Sequence, residues 1–206
     1  MTVEVDRAPG LRERNRIRTR DDILDSAAAL LGEFGYNGTT LDDVAKHAGL
    51  SRKTIYAYFP NGRDEMVQAA YVRIAKQVEQ RGMLARESLT DPVDRIVALA
   101  EALIRTAITP EGRFYGILGP DVTPVLTSVM GSTSRSFTQL IHDDLAESMA
   151  QSNLPPATPV DELAHLLTGT IRAAGNIAAV EPRRAKLLTE AVRMMAAGLL
   201  SGSADE

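Results

Sequence analysis

The chain has 206 residues, of which 44% are hydrophobic and 24% charged, as is typical of a soluble globular protein. It contains no cysteine, which excludes disulfides, thiolate metal sites and cysteine nucleophiles. No segment is apolar for long enough to span a membrane, and the N-terminus lacks the apolar core of a secretory signal. We therefore expect a cytoplasmic protein.

The net charge of −4 is unevenly distributed. Basic and acidic residues balance in residues 1–80, so the excess of acids lies in residues 81–206. Five arginines fall in one short N-terminal segment that would attract phosphate groups: Arg12, Arg14, Arg16, Arg18 and Arg20. We predict a flexible arginine-rich arm over residues 1–18. The alternative interpretation is a solvated disordered tail with no ligand.

Apolar residues recur at helical spacing almost everywhere, and no run alternates as a half-buried strand would, which predicts an all-α fold. The first helix should end at Gly35. A capping box at Thr40-Leu41-Asp42-Asp43 predicts a second helix, which Ala48-Gly49 would end. Ser51 is placed to cap a short third helix. Pro60-Asn61-Gly62 would break that helix before a fourth begins.

Longer helices are predicted in the rest of the chain. Asp91-Pro92-Val93-Asp94 and Thr158-Pro159-Val160-Asp161 each combine a capping side chain, a proline at the first helical position and an acid in the first turn. Between these two helix starts, the apolar spacing predicts a long helix that begins near Pro124. A last helix follows the second start.

The turn Ala48-Gly49-Leu50-Ser51 joins two short predicted helices in the manner of a helix-turn-helix. In that motif the first turn of the second helix reaches base edges in the major groove. Arg52, Lys53 and Thr54 occupy this turn here, and their side chains suit bases or phosphates. Tyr56 and Tyr58 follow with phenol groups, whereas Ile55 and Phe59 should face inward. A plain corner between two helices, in a protein-binding adaptor for example, is the alternative.

The segment from Ile23 to Met66 reads ILDSAAALLGEFGYNGTTLDDVAKHAGLSRKTIYAYFPNGRDEM. It resembles the DNA-binding segment of the TetR family in these features: Phe34-Gly35-Tyr36, Thr39-Thr40, Val44-Ala45, Ala48-Gly49-Leu50-Ser51, Thr54-Ile55-Tyr56 and Tyr58-Phe59. The resemblance implies an all-α fold with an N-terminal three-helix helix-turn-helix domain. With its connecting helix, this DNA-binding domain would cover residues 19–80. A larger helical domain for ligand binding and dimerisation would cover residues 81–206.

The resemblance also implies roles for individual residues. The position of Thr40 commonly holds a phosphate, and that of Tyr58 usually meets one. The basic residue that opens the fourth helix corresponds to Arg63, although Pro60-Asn61-Gly62-Arg63 is one residue longer than the usual spacing. Lys53 stands where many members carry glycine, which leaves the base preference open. With the arm placed in the minor groove, the predicted DNA-binding residues are Thr40, Ser51, Arg52, Lys53, Thr54, Tyr56, Tyr58, Arg63, Arg16 and Arg18.

The last two helices of similar proteins pair with their copies in a homodimer. Residues 159–200 suit this arrangement, because they combine small residues for close helix approach with a large apolar area. The small residues are Ala164, Gly169, Ala173 and Ala174, and the apolar ones are Leu166, Leu167, Ile177, Leu187, Leu188, Met195 and Leu199. The alternative is that these helices only complete the core of a monomer.

A pocket for a small-molecule effector would lie among the middle helices. The candidate lining residues are Phe114, Tyr115, Met130, Phe137, His142, His165, Arg172 and Asn176. Each has a structural alternative. Met130 and Phe137 lie on the apolar stripe of a helix and suit a core, and Arg172 could pair with an acid of the dimer partner.

His142-Asp143-Asp144 is similar to the paired His and Asp ligands of metal-dependent phosphohydrolases, but only two other histidines exist and one lies in the DNA-binding segment. We therefore expect no enzyme, no catalytic residue, no metal and no cofactor. The sequence predicts a ligand-responsive transcriptional regulator. As a repressor, it would bind a palindromic operator in double-stranded DNA as a homodimer and be released by a small-molecule inducer.

Overall fold

The computed structural model describes residues 10–151 and 153–201. All regular elements within these two ranges are helical, which confirms the predicted all-α fold. The helices are α1 (Leu11–Phe34), α2 (Leu41–His47), α3 (Arg52–Tyr58), α4 (Arg63–Arg86), α5 (Pro92–Ala107), α6 (Pro110–Gly116), α7 (Thr123–Leu126), α8 (Ser132–Ala150), α9 (Val160–Val180) and α10 (Ala185–Ser201), with a 3-10 turn at Pro182–Arg184.

The first three helices form a helix-turn-helix unit around a small core, to which the start of α4 also contributes. Thr40 and Asp43 make the predicted capping box at the start of α2, and the side chain of Ser51 caps α3. Gly49 has a φ of 66°, a backbone conformation that favours glycine and that turns the chain between the two helices. The core of this unit contains ten buried residues: Ile23, Leu24, Ala27, Leu41, Val44, Ala45, Ile55, Phe59, Met66 and Ala70.

α1 and α4 belong to two cores at once. On α4, Met66 lies in the core of the helix-turn-helix unit, whereas Val67 and Tyr71 lie in the larger core of the C-terminal body. On α1, Ala27 lies in the core of the helix-turn-helix unit and Ala28 lies in the larger core. The two parts of the chain are therefore joined by packed helices. The predicted boundary at residue 80 stays a prediction.

The C-terminal body packs α5 between α4, α9 and α10, with α6 and α8 against α9. Asp91 caps α5 and Pro92 opens it, as predicted. Two glycines allow the close contacts with α9. A Cβ at Gly116 would lie 2.6 Å from the Cβ of Ala179, and one at Gly175 would lie 2.8 Å from Leu103. Side chains at these positions would force the helices apart.

Three local predictions are wrong. Residues 11–18 are the first two turns of α1, not an irregular arm, because nothing between Leu11 and Ile23 breaks the helix; residues 1–9 lie outside the described residues. The helix predicted from Pro124 is divided into α7 and α8, since Gly131 has a φ of 88°. Thr158 does not cap α9: its hydroxyl donates instead to the carbonyl of Pro155.

Candidate nucleic-acid interface and effector cavity

α3 presents one polar face to the outside. Arg52, Lys53 and Tyr56 are exposed on it, while Ile55 and Phe59 are fully buried beneath, as the sequence predicts. The Ser51 hydroxyl accepts a 3.1 Å hydrogen bond from the Thr54 N–H and lies 2.8 Å from the Thr54 hydroxyl. This cap fixes the first turn of α3, which carries the exposed basic residues.

The guanidinium of Arg52 is held on the surface by two neighbours. It donates a 3.3 Å hydrogen bond to the Asp42 carboxylate of α2 and lies 5.8 Å from the centre of the Tyr56 ring. Hydrogen bonding with Tyr56 and the charge of Asp42 raise the pKa of Arg52. Arg52 is therefore a fixed positive charge, and a nucleic acid must compete with Asp42 for it.

Thr40 lies at the N-terminus of α2 with its hydroxyl already engaged. The hydroxyl donates 2.6 Å to Asp43 Oδ2 and accepts a 3.2 Å hydrogen bond from the Asp43 N–H. The Thr40 N–H donates to the same carboxylate oxygen at 3.0 Å. These hydrogen bonds lower the pKa of Asp43. The carboxylate of Asp43 thus occupies the donors that a phosphate would otherwise meet.

Arg63 and Tyr58 are both half-buried. The Arg63 guanidinium lies 3.9 Å from the centre of the Tyr36 ring and donates to the backbone carbonyls of Tyr36 and Thr39 at 3.4 and 3.2 Å. It therefore holds the loop that leads to Thr40. Tyr58 packs against the core of the helix-turn-helix unit. Sequence reasoning missed this holding role of Arg63, because the carbonyls it binds are distant along the chain.

Arg16 and Arg18 are exposed on the first turns of α1. Because an α-helix turns about 100° per residue, the two side chains point in directions about 200° apart. Arg16 lies 3.9 Å from Glu13, an exposed and weak ion pair. The arginines of this segment thus form two rows, one with Arg12, Arg16 and Arg20 and one with Arg14 and Arg18.

A cavity of about 240 Å³ lies in the C-terminal body among α4, α5, α6, α8 and α9. Most of its surface is apolar. Five of the predicted effector residues line it, namely Tyr115, Met130, Phe137, Arg172 and Asn176. Other lining residues were not predicted: Tyr71, Leu103, Gly116, Leu118, Gly131, Thr133, Ser134, Thr168 and Ile171. Their helical spacing marks several of these as core residues, and nothing in the sequence marks them as cavity residues.

The other three predicted effector residues lie elsewhere. Phe114 is buried in the core beside α1. His165 is exposed, with a ring nitrogen 2.8 Å from the Asp161 carbonyl oxygen. His142 lies on the surface between two carboxylates, 3.2 Å from Asp143 and 3.4 Å from Asp161. These three residues do not line the cavity, because each side chain leaves its helix on a face turned away from it.

His142, Asp143 and Asp144 do not converge on one point. Asp144 points into the core, where its carboxylate pairs with Arg86 and Arg95, while His142 stays on the surface. The residues of the phosphohydrolase-like pattern are thus separated by the helix that carries them. Within the described residues, no group of three His, Cys, Asp or Glu side chains is arranged to hold a metal ion.

α9 and α10 share an apolar face that no other described residue covers. Leu166 and Met194 are each 68% exposed, and Leu187 is 71% exposed. The residues of the groove between the two helices, called here the α9–α10 groove, are Leu163, Leu166, Leu167, Thr170, Met194, Met195, Gly198 and Leu199. Three of the proposed interface residues do not fit that role, because Ala164, Leu167 and Ala174 are buried in the protomer's own core.

Comparison with known proteins gives consistent matches. Residues 23–70 match the profile of the family described as bacterial regulatory proteins, tetR family. The HTH-type transcriptional repressor ComR of Escherichia coli is 28% identical over 171 residues, which cover 78% of this chain and 80% of ComR. A TetR transcriptional regulator from Chloroflexus aurantiacus superposes with a TM-score of 0.73 and 25% identity, over 90% of this chain and 96% of that one. Residues 23–70 thus resemble the TetR family in sequence, and the fold is similar to that of a solved TetR regulator.

The resemblance to the TetR family is concentrated in the helix-turn-helix unit. The HTH-type transcriptional regulator YxaF of Bacillus subtilis is 32% identical over 78 residues, which span 38% of this chain and 41% of YxaF. The match thus covers well under two thirds of that relative. These relatives are named as regulators, which favours a regulator over the enzyme alternative. In the described part of the chain, no helix combines the length and apolarity that crossing a membrane requires.

Proposed function

We propose that this protein is a ligand-responsive transcriptional repressor of the TetR family. It binds a palindromic operator as a homodimer and is released when a small molecule enters the C-terminal body. The observation that carries the proposal is the exposed polar face of α3, where Arg52, Lys53 and Tyr56 stand on a buried base of Ile55 and Phe59. A short, rigid, basic helix of this kind suits the major groove.

The proposed DNA contacts extend from α3 to its neighbours. Thr40 would hold a phosphate at the start of α2 once its donors leave the Asp43 carboxylate, and Arg63 would support it by fixing the preceding loop. The row with Arg16 and the row with Arg18 point in different directions, so one row would reach DNA at a time. Arginine side chains of such a row could enter the minor groove, because this contact needs little defined structure.

The uncovered apolar face supports a dimer through α9 and α10. Leu166, Leu187 and Met194 would each be removed from water if a second copy packed against this face. A two-fold pair of protomers would present two α3 helices. To read a palindrome, these must lie about one turn of DNA apart.

The cavity is connected to the DNA-binding unit through two helices. Tyr71 lines the cavity from α4, which also carries Met66 in the small core. Tyr115 lines it from α6, which packs on α1 so closely that a Cβ at Gly32 would lie 2.8 Å from the Pro110 carbonyl oxygen. A ligand that moves either tyrosine would therefore change the position of α3, and the coupling must be reciprocal.

The test is selection of binding sites from a random DNA pool by the purified full-length protein at near-physiological salt. Enrichment of an inverted repeat is the expected result. Arg52→Ala should weaken binding to the selected site more than binding to unrelated DNA if Arg52 reads a base. Arg105→Ala is the matched control, because Arg105 is an exposed arginine on α5. Failure of the folded, ligand-free protein to enrich any sequence would contradict the proposal.

A further inference from the structure

Arg172 is the only charged residue among the described residues that line the cavity. It lies on α9, lines the cavity and is an exposed residue. In residues 10–151 and 153–201, no carboxylate lies within ion-pair distance of this guanidinium. Its positive charge acts on Tyr71, where it lowers the pKa against the larger raising effect of burial. The cavity therefore carries one positive charge that no internal acid neutralises.

The walls around this charge are apolar. Leu103, Phe137 and Ile171 are buried almost completely and present hydrocarbon or ring surface to the cavity. Water is a poor competitor for such a surface, and a charge next to it interacts more strongly than it would in bulk solvent. These walls suit an apolar ligand body, and Arg172 suits an anionic end.

The other polar groups of the cavity are neutral. The rings of Tyr71 and Tyr115 lie 4.9 Å apart, and burial raises the pKa of both phenols, so both keep their protons at neutral pH. The Thr168 hydroxyl is satisfied by the Ala164 carbonyl and by Thr138. In the amide orientation that its surroundings require, Asn176 donates to the carbonyls of Gly116 and Arg172. None of these groups carries a negative charge that would pair with a cation.

We propose that the effector is a small carboxylic acid with an apolar body, bound as its anion with the carboxylate on Arg172. The planar guanidinium can donate two parallel hydrogen bonds to a carboxylate. The size of the ligand is limited by the cavity of about 240 Å³, which corresponds to roughly eight water volumes. This inference rests on the proposed function and adds a chemical class to it.

The test measures the affinity of the full-length protein for matched probes by titration calorimetry. The acids are octanoate and 4-phenylbutanoate, and the controls are their neutral amides and octylamine. We expect the acids to bind about threefold to tenfold more tightly than the amides, as suits a partly exposed charge pair. Arg172→Gln should remove that difference and leave amide binding unchanged. Arg105→Gln, an exposed arginine outside the cavity, should keep it.

A second variant locates the site. Ser134→Leu adds a larger side chain inside the cavity, at a hydroxyl with no hydrogen-bond partner in the described ranges, and should weaken acids and amides together. Equal binding of acid and amide, tighter binding of octylamine, or no binding of either acid would overturn the inference. If the same preparation still selects an inverted repeat, only the ligand class fails. Acid binding without DNA selection would instead contradict the proposed function.

Discussion

Arg86, the last residue of α4, donates a 2.7 Å hydrogen bond to the carboxylate of Asp144 on α8, whose side chain is 2% exposed. Arg95 of α5 approaches the same oxygen at 3.0 Å and donates to Glu147 at 2.7 Å. Burial raises the pKa of Asp144, and the charges of the two arginines offset only part of that rise. This buried cluster joins the three helices at the end of the body farthest along α4 from the DNA-binding unit.

Replacing Asp144 by alanine should lower the free energy of unfolding by about 3 kcal/mol, because two partly buried guanidinium groups would lose their common acceptor. Glu147→Gln is the matched control. Glu147 is half-exposed and its ion pair is with Arg95, so loss of its charge should change the free energy by less than about 1 kcal/mol. Urea denaturation followed by circular dichroism measures both. Equal effects of the two substitutions would mean that burial does not set the strength of this cluster.

Replacing Asp42 by asparagine should increase DNA affinity about twofold to fivefold at low salt. The carboxylate holds Arg52 by an exposed ion pair and also repels phosphates, so removing its charge frees the arginine. The gain should shrink as salt is added, because exposed charges are screened. Fluorescence anisotropy on the selected operator measures it. Glu87→Gln makes the same charge change at the far end of α4 and should have no such effect; a similar gain there would point to net charge alone.

The capping box makes a prediction about acid stability. Because the folded-state pKa of Asp43 is lowered, its stabilising contribution is present above the ordinary value of 3.8 and is lost as the pH falls through the folded value. Thr40→Ala removes the hydroxyl that is the largest cause of this shift. We expect the pKa of Asp43 to rise towards its ordinary value and the protein to lose about 1 kcal/mol at neutral pH.

Carboxyl chemical shifts followed by NMR across pH 2–6 measure this change. Thr40→Ser keeps the hydroxyl and should leave the titration of Asp43 close to that of the wild type. An unchanged pKa in Thr40→Ala would show that the backbone hydrogen bond of residue 40 suffices to hold the carboxylate.

Replacing Leu166 by glutamate should convert the proposed dimer into monomers. The new charge would lie in the middle of the α9–α10 groove and would lose its water on association. Sedimentation velocity gives the oligomeric state. Leu84→Glu is the control, because Leu84 is 65% exposed on α4, outside that groove. A variant that remains dimeric would remove α9 and α10 from the interface.

Local signals in the sequence were sufficient for the helix starts that depend on caps. Thr40, Ser51 and Asp91 each cap the helix that they were predicted to cap, because a cap depends on residues within one turn. The same signal at Thr109-Pro110-Glu111 opens α6 and was overlooked. Thr158 has the same pattern but bonds to Pro155, so the pattern alone does not decide between a cap and a turn.

The cavity could be predicted only in part, because it forms where five helices converge. Tyr71 and Tyr115 are 44 positions apart and meet only through the packing of α4 on α6. His142 and His165 drew attention as rare residue types, yet the rotation of their helices turns them outward. The sequence shows that Arg172 is charged, whereas its position in the lining of the cavity follows from the tertiary structure.

The division of α1 and α4 between two cores limits how this protein can change over evolutionary time. Ala28 and Leu31 belong by position to the helix-turn-helix unit, but their neighbours are those of the C-terminal body. A substitution there affects the packing of both parts of the chain, so the helix-turn-helix unit and the C-terminal body cannot change independently. A different C-terminal body joined to these first helices would have to reproduce the surface of α6 that Gly32 touches.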